Sequence, residues 1–320
     1  MKRIFQFKSP CLQALIGVLF FCSLFSCSKE EEEPEEDVRK RQDMAAIQDY
    51  LATNQVEATQ KPFSIYEYYY YKLYENPNEK TPTDGNIVLF YYKMYLLDGT
   101  EIASYTAADG DPIPAKYGST TIFPYTIGHA FQHLKKGETQ RLLLPSYLAF
   151  HTYTNEDIPQ YSNIVVDIEL VDILTVDQQK QRESAIIDDY IEENELGTFN
   201  KFSSGLRYKV LEAGTGSTPV RGNRISVAYK GTLLDGTVFD ESKDGSPLVY
   251  NLGSTSMIAG WEQGVPLMQN GEKAMLLMPS HLAYSNNITV IPESIREDLV
   301  GRSLPPFSIL KFELTLEDIK

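Results

Sequence analysis

The stretch "TLLDGTVFDES" occupies residues 232–242, and "YLLDGTEIAS" occupies residues 95–104. Both carry LLDGT after an alternating apolar run, and a chain that contains such a stretch twice is first read for an internal repeat. The similarity extends upstream, where "GNIVLFYYKMYLLDGT" (85–100) matches "GNRISVAYKGTLLDGT" (222–237) at an offset of 137. Further on, "HLKKGETQRLLLPSYLAF" (133–150) matches "LMQNGEKAMLLMPSHLAY" (267–284) at 134, and "IVVDIELVDI" (164–173) matches "LKFELTLEDI" (310–319) at 146. Upstream, "QDMAAIQDYLATN" (42–54) and "RESAIIDDYIEEN" (182–194) both place apolar residues at helical spacing. The matched runs are rich in β-branched and aromatic residues, alternate, and are broken by an Asp-Gly turn, so they read as strands. Strands joined mostly by short turns, with one helix to cover a sheet face, give an α+β class with antiparallel sheets.

The changes of offset locate insertions. The first copy has about three extra residues between LLDGT and its short helix, and the second gains about twelve between Tyr284 and Leu310. That longer loop, "SNNITVIPESIREDLVGRSLPP" (285–306), holds a weak helical patch at 294–300, and a long loop beside a pocket is commonly functional.

The 320 residues suggest two domains, and 42% apolar content with 21 tyrosines argues for folded sequence. A formal charge of −15 excludes nucleic acid as an expected partner, since phosphate contacts need clustered Lys and Arg. Lys2, Arg3 and Lys8 precede an apolar run that ends in Leu24, Phe25, Ser26 and Cys27, which resembles a bacterial lipobox with Cys27 as the lipid attachment site. Cys11, Cys22 and Cys27 are all the cysteines, so cleavage before Cys27 leaves one thiol and no internal disulfide. The following "SKEEEEPEED" (28–37) reads as an extended acidic tether, a spacer or a surface-export signal.

Conventional catalytic constellations are missing from the sequence. "HAFQH" sets His129 and His133 one helical turn apart without the glutamate of HExxH, so it reads as a surface pair and no metal is expected. "GTGSTP" (214–219) reads as a turn. What remains is aromatic: in the second copy Tyr229, Phe239, Trp261, Tyr284 and Phe312 fall on separate elements. Plain core packing would explain aromatics in a small α+β domain equally well.

At these residues the second copy, over about 203–320, resembles FKBP-type peptidyl-prolyl cis–trans isomerases through "VAYKGTLLDGTVFDES", "MIAGWEQGVPLMQNGEKAMLLMPSHLAY" and "LPPFSILKFELTLE". The resemblance implies two FKBP-like domains, each a five- or six-stranded antiparallel half-barrel around a short helix. It implies a proline-binding pocket with Trp261 as floor, Tyr229, Phe239 and Phe312 as walls, and Leu248, Met257 and Ile258 closing the side. Asp240 and the Tyr284 hydroxyl are the implied polar contacts, and the Ile258 N–H the implied partner of a substrate carbonyl. Leu248 stands where the family commonly has an aromatic, and Ser285 replaces the usual glycine after Tyr284. No cofactor is implied.

In the first copy Tyr92 is kept, but Ile102, Ala103, Ile127, Phe150 and Val166 stand at the positions of Phe239, Asp240, Trp261, Tyr284 and Phe312. The expected division is a signal peptide (1–26), an acidic tether (27–42), a degenerate FKBP-like domain with its N-terminal helix (43–175), a linker helix (176–197) and an isomerase domain (198–320). The expected function is a peptidyl-prolyl isomerase that is anchored to the outer membrane by lipid and acts on proline-containing chains of the cell envelope. Self-association through the helices is a further expectation. The chain also resembles gliding-motility-associated lipoproteins of the Bacteroidota, which implies the alternative of a non-catalytic binding or chaperone module.

Overall fold

The runs "TQRLLL" (139–144) and "KAMLLM" (273–278) carry apolar side chains at consecutive positions. Neighbours on a strand point to opposite faces, so such runs need cover on both sides. The computed structural model of the chain supplies two covers in each repeat; it describes residues 34–320 except 119, 255–256, 285–286 and 302. The signal peptide, Cys27 and the start of the acidic run lie outside the described residues.

Unit one contains α1 (Glu35–Thr53), β1 (Thr59–Phe63), β2 (Tyr66–Tyr74), β3 (Ile87–Leu96), β4 (Glu101–Tyr105), β5 (Ile113–Lys116), β6 (Ile122–Phe123), α2 (Tyr125–Ala130), β7 (Thr139–Leu144) and β8 (Ile164–Leu174). Unit two contains α3 (Val176–Glu193), β9 (Asn200–Lys201), β10 (Arg207–Glu212), β11 (Arg224–Thr232), β12 (Val238–Glu241), β13 (Leu248–Asn251), α4 (Ala259–Gly264), β14 (Lys273–Met278), β15 (Thr289–Val290), α5 (Arg296–Val300) and β16 (Leu310–Ile319). The sheets are congruent. One runs β1-β2-β7-β8-β3-β4 with β5 on β3, the other β9-β10-β14-β16-β11-β12 with β13 on β11, each of seven antiparallel strands. Short β1 and β9, which lack the alternation of the other strands, extend each sheet beyond the expected five or six.

The two faces of each sheet have different partners. In unit one Leu142 and Leu144 join the main core with Ile127 and Phe131 of the short-helix segment, while Leu143 packs with Ile47 of α1. In unit two Leu276 and Met278 join Trp261, while Met275 and Leu277 pack with Ile187 of α3. Helix α3 is therefore no free linker. It is unit two's counterpart of α1, started by a capping box in which Thr175 and Gln178 exchange hydrogen bonds of 3.2 and 2.8 Å.

A buried carboxylate ties each helix to its sheet. Glu183 accepts hydrogen bonds from the backbone N–H and the hydroxyl of Ser280, both at 2.8 Å. Asp43 does the same to Ser146, and burial, against the Ser146 hydrogen bonds, raises its carboxyl above the ordinary value.

One expectation is corrected. The acidic tether does not extend to residue 42, because α1 begins at Glu35. Glu35, Glu36 and Asp37 form its first turn, where carboxylates meet unsatisfied N–H groups and the positive end of the helix dipole, and Lys40 pairs with Glu36 at 2.8 Å. The long loop of unit two reaches across to unit one. Its β15 pairs in parallel with β6 of unit one, Thr289 opposite Ile122 and Val290 opposite Phe123.

Glu183→Ala leaves the Ser280 donors without their partner in a buried place. It is expected to lower the unfolding free energy by about 2–4 kcal/mol in urea titrations, and a loss below about 0.5 kcal/mol would contradict the anchoring role.

Candidate active site

Strand β11 brings Tyr229 to the inner face, and the Asp-Gly turn after it returns the chain as β12 with Phe239 and Asp240. The neighbouring β16 supplies Phe312 opposite Gly231, and α4 places Trp261 across the concave face. Trp261 is only 1% exposed. Its ring meets Tyr229 edge to face at 5.2 Å and Phe312 at 5.4 Å, and Phe239 meets Phe312 at 5.5 Å. Such perpendicular contacts satisfy the ring quadrupoles and fix the walls. The indole Nε1 finds no hydrogen-bond partner among the described residues, a cost of the kind that functional sites carry.

All nine residues expected at the site, Tyr229, Phe239, Asp240, Leu248, Met257, Ile258, Trp261, Tyr284 and Phe312, line one cavity of about 470 Å³. Ala259 and Ala283 complete it. The floor is aromatic and the lip is polar. Tyr229 donates from its hydroxyl to Asp240 Oδ2 at 2.7 Å, and Tyr284 stands at the rim, 41% exposed. Burial first, then the Asp240 carboxylate, pushes the Tyr229 phenol up to about 12 and raises that of Tyr284. Both hydroxyls therefore keep their protons through neutral pH. Ile258 is the N-cap residue of α4, so its backbone sits where the helix meets the cavity.

One residue that makes this cavity was missed in the sequence reading. A Cβ built on Gly231 would lie 2.6 Å from the Phe239 ring and 2.8 Å from the Phe312 ring, so only glycine lets both walls stand. The signal was present in the aligned pair "YKGT" and "YKMY". In unit one the same position is Met94, fully buried, opposite Ala103 and Val166. Met94, Ile102 and Val166 fill the volume that the two phenyl rings frame in unit two. Pro124 caps α2 where Ile258 caps α4, so unit one offers no N–H there.

His129 and His133 are not a surface pair. His129 Nδ1 lies 3.2 Å from the Tyr68 hydroxyl, and the His133 ring stacks on Tyr70 at 5.5 Å. Burial, reinforced by Lys61, lowers both imidazoles, His133 to about 4. They are packing groups of unit one's core edge.

Residues 78–171 and 215–317 both match the family described as FKBP-type peptidyl-prolyl cis-trans isomerase. The chain belongs to this family. Over 132 residues it is 39% identical to the FKBP-type 22 kDa peptidyl-prolyl cis-trans isomerase of Escherichia coli (strain K12), covering 41% of this chain and 58% of that protein. It is 36% identical over 118 residues to the Outer membrane protein MIP of Legionella longbeachae, covering 37% and 45%. The crystal structure of FkpA from Escherichia coli aligns over 45% of this chain and 62% of that one, at 33% identity and a TM-score of 0.35. The chain spans about half the length of the curated relatives it matches.

Gly231→Met transplants unit one's residue into the cavity of unit two. The FKBP-type site is then expected to lose affinity for a proline-containing peptide at least tenfold, read from the fluorescence of Trp261, the chain's single tryptophan. Unchanged affinity would mean that the two phenyl walls do not define the binding site.

Proposed function

We propose that unit two, whose cavity lies within residues 198–320, catalyses cis–trans isomerisation of Xaa-Pro bonds in polypeptides, and that unit one, residues 35–175, does not. The observation that carries this reading is the aromatic-walled cavity with a polar lip at one side. Rotation about an Xaa-Pro bond is opposed by about 18–20 kcal/mol of amide resonance. No covalent bond is made or broken, so the reaction needs positioning and a suitable environment, with no nucleophile. The twisted amide is less charge-separated than the planar one, and an apolar cavity favours it over the planar form relative to water. Every ~1.4 kcal/mol of this difference is a tenfold gain in rate. In the proposed mechanism the proline ring sits on Trp261 between Tyr229, Phe239 and Phe312. Leu248 and Met257 close the side, the Ile258 N–H binds a flanking carbonyl, and Asp240 and Tyr284 hold the twisted amide at the lip. Unit one has Ala103 for Asp240, Phe150 for Tyr284 and Pro124 for Ile258, so all three polar holds are gone.

The clients in this proposal are proline-containing proteins of the cell envelope, reached from the outer membrane through a lipid on Cys27. Support comes from the lipobox-like sequence and from a relative named as an outer membrane protein. Among the described residues no helix is long and apolar enough to cross a membrane. Pairing of chains through α1 and α3 is not part of the proposal, because Ile47 and Ile187 are already buried on their own sheets. The second reading, a binding module, is favoured for unit one by the loop that occupies it.

In a protease-coupled assay on a Xaa-Pro tetrapeptide with the whole chain, Phe239→Ala and Trp261→Leu are each expected to lower kcat/KM at least tenfold, and Ile102→Ala to leave it unchanged. Full retention in Trp261→Leu would place the activity elsewhere. Because the Tyr229 phenol is held up to about 12, its neutral donor form persists, and kcat/KM is expected to be flat from about pH 6 to 9. A titration inside that interval would contradict the role given to Tyr229.

A further inference from the structure

Unit one has lost the polar holds of the family's pocket, yet its concave face is not empty. The loop of unit two crosses to it as an arm. Val290, Ile291 and Ile295 are each 1% exposed and belong to the same buried cluster as Tyr92, Ile127, Phe150 and Val166. Those four stand where Tyr229, Trp261, Tyr284 and Phe312 line the cavity of unit two. The arm therefore lies on the face that corresponds to the isomerase pocket.

The arm is held as an extended peptide. Thr289 donates its N–H to the Thr121 carbonyl at 2.9 Å, and Ile291 donates to the Phe123 carbonyl at 3.0 Å. This is strand addition, in which main-chain hydrogen bonds supply affinity and buried side chains supply selectivity. Beyond Ile291 comes Pro292, buried, and the backbone of the next residue, Glu293, faces the Tyr92 hydroxyl. An Ile-Pro step is thus bracketed by Phe123 on one side and the retained Tyr92 on the other. Further along, Asp298 accepts from the Tyr153 hydroxyl at 2.7 Å. Within the arm, Arg296 binds the Glu293 carboxylate at 2.7 Å and the Ile288 carbonyl at 2.9 Å, which fixes the bend after the proline.

We infer that unit one is a peptide receptor, whose ligand class is an extended segment with two β-branched residues before a proline, and whose resident ligand is the 287–301 arm of unit two. Its groove keeps the apolar floor and strand-edge carbonyls needed to hold such a segment. It lacks the groups that would twist one, so it binds without turnover. The inference does not depend on isomerase activity in unit two.

The test uses the whole chain with residues 287–303 replaced by a short Gly-Ser turn, and a fluorescently labelled synthetic peptide of residues 287–301. With the open groove of unit two saturated by a Xaa-Pro tetrapeptide that has no β-branched residue, the labelled peptide is expected to bind the arm-shortened chain saturably and to bind the wild-type chain, whose unit-one groove is occupied, at least tenfold more weakly. Ile291→Asp in the peptide, or Phe123→Asp in the arm-shortened chain, is expected to weaken binding at least tenfold. Absence of binding, or equal affinity for both chains, would overturn the inference. Hydrogen exchange on the wild-type chain tests it without any variant. The amides of Thr289 and Ile291 are expected to exchange as slowly as those of β8. Exchange as fast as that of the exposed turn at 243–246 would also overturn it. The rate of the arm-shortened chain on a Xaa-Pro tetrapeptide is read in parallel, so loss of catalysis and loss of docking are told apart.

Discussion

Nothing projects from the backbone at Gly231, and the two phenyl rings that wall the cavity of unit two depend on that vacancy. Phe239 and Phe312 approach this position closely enough that a single added carbon would collide with both. Held there, they meet each other edge to face, Phe312 in turn meets Trp261, and Trp261 meets Tyr229. The hydroxyl of Tyr229 then reaches Asp240. A chain of contacts from the strand backbone to the polar lip thus follows from the smallest side chain in the site. Interiors packed to crystal density transmit such constraints, because a displaced ring has nowhere else to go.

The same sheet, with the same register, gives the opposite result in unit one. Met94 fills the space behind the pocket, and smaller Ile102 and Val166 replace the rings. The face so formed is largely apolar, and an exposed face of that kind is a liability. The arm of unit two covers it. Both ends of the arm adjoin the cavity of unit two, since it leaves after Tyr284 and returns at β16, which carries Phe312. Arg182 of α3 adds an ion pair to Asp111 of unit one at 2.8 Å. The two units are therefore joined by packed surface as well as by chain.

Much of this was legible in the sequence, and for definite reasons. The repeat offsets aligned strand with strand because turns and strand lengths tolerate few insertions. The pocket residues were found because each lies on an element at a spacing that the resemblance fixes. Gly231 was visible as a small residue against Met94 in the alignment of "YKGT" with "YKMY", but a missing side chain draws no attention unless the neighbours that need its space are known. The destination of the arm was not legible. Val290, Ile291 and Ile295 announce a need for cover, and no spacing rule says which unit supplies it. The start of α1 was misread because a run of carboxylates repels itself in solution, yet is favoured at a helix N-terminus. The histidines looked exposed because the tyrosines that shelter them lie far away in sequence, on β2.

One groove is open and the other is covered from within the chain. Calorimetric titration of the wild-type protein with a short proline-containing peptide counts open grooves directly. One site per chain is expected. Two equivalent sites, or none, would contradict it.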